Sequence, residues 1–149
     1  MRNNPELAIL RYPRFARYLY GDVSVARVIY PPYILLPDDL YTRVMRSGED
    51  DPDAWAVIIH ERAHLHRISK TFPILGPLIF GLRFLIADKK FTLREELYAI
   101  GEEMKYRKER GITYDIERKA RHFSSSLYRN LLSYDEAKRI LCEAWEKTT

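Results

Sequence analysis

Residues 56–70 read AVIIHERAHLHRISK and hold three of the four histidines of this 149-residue chain. Asp51 followed by Pro52 supplies a capping carboxylate and a first helical residue, so the helix that carries this run starts there. Trp55, Ile58, Ile59 and Leu65 cover one side of it, while Ala56 and Val57 approach the other. A helix apolar nearly all round is a buried helix. Burying two imidazoles and a carboxylate is costly unless they find partners. Any fold for this chain must therefore enclose that helix and satisfy His60, Glu61 and His64.

Residues four apart on a helix lie about 40° apart around its axis, so His60 and His64 can aim at one point in space. Zinc takes imidazole nitrogens at roughly 2.0–2.1 Å and favours four ligands, so the pair supplies half a site. Glu61 lies about 100° round from His60 and borders the same face. It can reach a water acidified by the metal and take its proton as general base. This is the mechanical content of an H-E-x-x-H motif. The competing reading is a pair of core histidines bonded to main-chain carbonyls.

A third protein ligand is needed for a catalytic site with an open position. His66 is two residues from His64 and faces away from it. His122 is one candidate. The other lies in TLREELYAIGEEM, where Leu93, Leu97, Ile100 and Met104 mark an apolar face. Glu96 falls about 70° from the centre of that face and Glu95 nearly opposite it. Glu95 has a separate use, as the capping-box partner of Thr92. Glu96 at the edge of the core is the better ligand, against the alternative of a snorkelling or salt-bridged side chain.

His60-Glu61-x-x-His64 followed by Glu96-x-x-Ala99 on a second helix resembles the gluzincin metallopeptidases. The short length and the strands before the motif are similar to the minigluzincins and to the catalytic cores of M48-type peptidases. The resemblance spans residues 22 to 105. It implies a zincin-like α+β fold and one zinc ion per chain held by His60, His64 and Glu96. It also implies Glu61 as the base in peptide-bond hydrolysis. A strand within ARVIYPPYILL would pair with an extended substrate through main-chain hydrogen bonds. The metzincin continuation is absent, because Arg67 and Lys70 stand at its Gly and final His positions. Arg62 and His66 occupy positions that are usually uncharged and apolar in zincin helices, and Ile100 stands where M48-type members usually carry Asp. The tetrahedral intermediate of such a reaction needs a stabilising group. His122, Tyr114, Tyr128 and Arg121, all in the C-terminal helical region, are candidates.

The net charge of +4 and pI of about 9.2 come from cations scattered among acids. A nucleic-acid footprint would be clustered, so peptide or protein is the expected partner and nucleic acid is not. Two rivals remain. One is a non-catalytic or latent zinc-stabilised domain whose C-terminal helices cover the cleft. The other is a DNA-associated, SprT-like protease with His122 as third ligand. Cys142 is the one cysteine, so no intrachain disulfide forms, and a small buried side chain is expected there. The N-terminal run is too interrupted for a signal peptide. The apolar segment 72–87 is too short to span a membrane and is punctuated by Gly76, Pro77, Gly81 and Arg83. It reads as a buried helix or hairpin, or as a peripheral membrane or subunit contact. A cytoplasmic location follows as the expectation. The chain has no Gln and three Asn, a composition in keeping with a thermophilic source.

The expected organisation is one domain over 1–149, α+β, with a small sheet packed on the histidine helix and helices after it. In order, the expectations are a helix from Asn4-Pro5 interrupted at Pro13 and ended at Gly21, then strands within 22–30 and 33–37. A short helix ending at Gly48 comes next, followed by the histidine helix and a helix from Thr92 to Gly111. Two C-terminal helices complete the chain, the last opened by Ser133 and Glu136.

Overall fold

The computed structural model describes residues 8–13, 27–29, 33–71, 89–126 and 130–148. Within them lie three short strands, β1 (Ala8–Arg11), β2 (Arg27–Ile29) and β3 (Tyr33–Leu36). Five α-helices follow: α1 (Asp38–Ser47), α2 (Pro52–Thr71), α3 (Lys89–Glu109), α4 (Ile116–Phe123) and α5 (Tyr134–Lys147). The fold is α+β and mostly helical. The apolar segment 72–87, expected as a buried helix or hairpin or a peripheral contact, lies outside the described residues.

The sheet is mixed, in the order β1-β3-β2, with β1 parallel and β2 antiparallel to the central β3. Ile34, Leu35 and Leu36 are buried. Ile34 and Leu36 pack with Val44 of α1 and with Ala54 and Ile58 of α2. The first half of the histidine helix is thus fixed against the sheet. A second apolar cluster lies between α3, α4 and α5, built on Ile100, Met104, Ala120, Phe123, Ala137 and Leu141.

Local signals account for most helix ends. Asp51 caps α2 by accepting from the Ala54 amide at 3.1 Å, and Arg43 holds the same carboxylate at 2.8 Å. Gly48 follows α1 with φ of +54°. Gly111, at φ +67°, ends α3. Its amide donates to the Lys108 carbonyl and the Ile112 amide to that of Arg107, the paired bonds of a Schellman motif. Ser133 caps α5 by accepting from the Glu136 amide.

Three expectations are corrected. Residues 8–11 form a strand where a helix from Asn4-Pro5 was expected, because main-chain pairing with the buried β3 overrides the local start signal. At the end of the strand, Arg11 is paired with Asp38. Helix α3 starts at Lys89, so Thr92 lies inside it and Glu95 is not its capping partner. Cys142 is a free thiol of intermediate exposure rather than a fully buried one.

Candidate metal centre

Helices α2 and α3 pack against each other along an antiparallel polar seam. On α2, Asp53, His60, His64 and Arg67 follow at spacings of seven, four and three, which keeps them on one helical stripe. On α3, Arg107, Glu103 and Glu96 form the matching stripe in the opposite direction, with Glu95 beside it. The partners meet in order. Asp53 pairs with Arg107 at 2.6 Å. His60 lies between Glu103, 3.3 Å from its Nδ1, and Glu96, 3.6 Å from its Nε2. His64 Nε2 is 3.7 Å from the other oxygen of Glu96. Arg67 closes the far end on Glu95, at 2.7 and 2.9 Å.

At the centre of the seam, both Nε2 atoms converge on one carboxylate. His60, His64 and Glu96 each offer one ligand atom, and these atoms all lie within 4.8 Å of one another. The group could hold a metal ion. Two bonds of roughly 2.0–2.1 Å at a tetrahedral angle set their donor atoms about 3.3–3.4 Å apart, slightly closer than the spacings found. Other polar atoms of the three side chains are also left without a hydrogen bond. Glu96 Oε2 and the Nδ1 atoms of His60 and His64 are buried with no aligned hydrogen bond. Among the described residues, neither imidazole is bonded to a main-chain carbonyl in the way the plain core-histidine reading requires. A buried Glu96 oxygen with no hydrogen bond, facing the two imidazole Nε2 atoms, fits a bound cation.

The residues of the centre are deeply enclosed: His60 is 6% exposed, Glu61 8%, His64 9% and Glu96 7%. This enclosure shapes their protonation. Burial raises Glu61 to about 7, with Glu96 and Glu103 adding to the rise and His60 opposing it. Burial lowers His64 to about 4, against the pull of Glu96. For His60, burial and the charge of Lys119 act downward, but the carboxylates of Glu103 and Glu96 prevail and raise it. Burial would raise Glu96, yet His60, Lys119 and His64 hold it well below the usual carboxylate range.

The other residues singled out from sequence are placed differently. Among the described residues, the group is completed by Glu96 and does not include His122. His122 is half-buried on α4, where its carbonyl accepts from Ser125. Arg121 is exposed. Tyr114 stacks on Trp145 with ring centres 6.1 Å apart, in the apolar cluster of the C-terminal helices. Tyr128 lies outside the described residues. His66 is exposed, as its spacing from His64 requires. The residue missed from sequence is Lys119. Its charge acts on His60, Glu61, His64, Glu96 and Glu103 alike. One signal could have found it. Lys119 falls within the helical stripe of Ile116, Ala120 and Phe123, the face α4 turns to the core.

The sequence matches no family model, no curated protein and no solved structure. Among the described residues, no helix is long and apolar enough to cross a membrane.

Proposed function

We propose that the chain is a zinc-dependent endopeptidase of the gluzincin type, with His60, His64 and Glu96 as the metal ligands. The observation that carries the reading is the convergence of both imidazole Nε2 atoms on Glu96, with Glu61 enclosed next to His60. Two nitrogens and one carboxylate oxygen suit zinc and leave a fourth position for water or substrate. Zinc bound there would polarise a peptide carbonyl and acidify a water molecule.

The protein's own groups then have distinct roles. Glu61, raised to about 7 by burial, would serve as the base that takes a proton from attacking water near neutral pH and gives it to the leaving amine. The Glu96 carboxylate spans both histidines, with one oxygen toward each Nε2. Lys119 supplies positive charge near a centre rich in carboxylates and takes the place of His122, Tyr114 and Arg121 as the candidate for countering an oxyanion. The partner is a peptide or protein, accepted in extended form.

A latent or non-catalytic metal domain is the second reading, favoured by the burial of all four central residues below one-tenth exposure. A peptide cannot reach Glu61 unless the enclosure opens.

Metal content after purification without added metal tests both. Near-stoichiometric zinc in the wild type, lost in Glu96→Ala and kept in His122→Ala, supports the ligand set. Hydrolysis of unstructured peptides by the loaded protein separates the enzyme from the latent domain. A wild-type protein that carries no zinc and takes up none when supplied would end the peptidase reading.

A further inference from the structure

His60 and His64 are not held alike. Neither Nδ1 makes an aligned hydrogen bond, but that of His60 has the Glu103 carboxylate 3.3 Å away. Glu103 is itself 8% exposed and one helical turn from Arg107, whose Nε donates to its other oxygen at 3.0 Å. Arg107, also buried, donates through Nη1 to Asp53 at 2.6 Å and to the Thr113 carbonyl at 3.5 Å. Asp53 lies in the first turn of α2, two turns before His60. The four side chains form a closed loop across the two helices. It runs from the backbone of α2 through Asp53, Arg107 and Glu103 back to the imidazole on α2.

Tying α2 to α3 would need only the pair of Asp53 and Arg107. A further carboxylate that is itself buried, as Glu103 is, is costly unless it has a use. The rigid guanidinium fork sets both the position and the charge of that carboxylate. A carboxylate beside Nδ1 fixes which ring nitrogen carries the hydrogen and leaves Nε2 free to act as a donor. In His60, Nε2 is the atom that faces Glu96.

We propose that Glu103, clamped by Arg107 and Asp53, is the positioning residue for His60. It holds the imidazole as the Nδ1–H tautomer with the Nε2 lone pair turned into the metal group, and so sets metal affinity. The inference rests on the metal-binding reading above. It assigns the two histidines unequal parts: His60 is oriented by the protein, and His64 by the metal alone.

The test is metal affinity of the full chain, measured by competition with a chromogenic chelator using Zn2+ alone, together with the visible absorption of the Co2+-loaded protein. Glu103→Gln should weaken Zn2+ binding by about 10–100-fold and shift the Co2+ bands, because the donor strength and angle of His60 change. Glu95→Gln disturbs the ion pair at the other end of the same seam. It should lower the melting temperature yet leave affinity within about twofold and the Co2+ bands unmoved, which separates positioning from general destabilisation. If Glu103→Gln does not fold, Arg107→Lys keeps the charge but loses the fork, and should weaken Zn2+ binding about tenfold. Wild-type affinity and wild-type Co2+ bands in the folded variant would overturn the proposal while the wild type still binds zinc. A wild type that binds no Zn2+ would instead overturn the metal reading and this inference with it.

Discussion

Arg67 on α2 grips Glu95 on α3 through two contacts, at 2.7 and 2.9 Å, while Glu96, the next residue, turns to the histidines. Two adjacent carboxylates on one helix thus have different partners. Their substitutions should separate cleanly. Glu95→Ala should lower stability by about 1–2 kcal/mol, the range for a charged pair with one partly solvated member, and leave metal stoichiometry intact. Glu96→Ala should abolish stoichiometric metal. Urea unfolding and metal analysis on the two variants check this, and equal metal content in both would refute the ligand assignment.

Glu61→Gln keeps the size of the side chain and removes its capacity to accept a proton. The variant should bind zinc as the wild type does and lose at least about 100-fold in peptide hydrolysis, the low end for a general base. Retention of full activity with metal bound would exclude Glu61 as the base.

Chelation should destabilise the protein. A ligand present at about 1,000 times its Kd stabilises by roughly 4 kcal/mol. For a chain of this size, that corresponds to a fall in Tm on the order of 10 °C when the metal is removed. A scan with and without a strong chelator reads it directly, and His64→Ala should show no such difference.

Asp51 gives a pH dependence remote from the metal. Its bond from Arg43 and the Ala54 amide hold its carboxyl below the ordinary value of 3.8. A depressed folded-state pKa contributes stability that is present above the unfolded value and lost as pH falls through the folded one. Asp51→Asn should therefore melt below the wild type near neutrality, with the gap closing below about pH 4. A gap that stays constant down to pH 2.5 would remove the charge on Asp51 as its cause.

Features governed by neighbouring residues were legible in the sequence. Asp51 before Pro52, the left-handed Gly111 and Ser133 before α5 each act within a few residues, so the chain carries their signals locally. The spacing of His60, His64 and Glu96 was legible for the same reason, since helical periodicity alone decides which side chains share a face. What escaped depends on distant partners. Strand β1 exists because β3 pairs with it across 25 residues, as in the register of Ala8 with Tyr33. Glu95 was assigned to a cap because its partner, Arg67, is 28 residues away on another helix. Glu103 and Arg107 fall on the seam only once α2 and α3 are docked antiparallel.

The enclosure of the centre also bears on timing. If a metal is held there, side chains each less than one-tenth exposed would slow its loading and release to the rate at which the helices part locally. A purified sample would then carry whichever ion was present while the chain folded and would exchange it slowly. Occupancy in hand would record the history of the protein as much as its equilibrium preference.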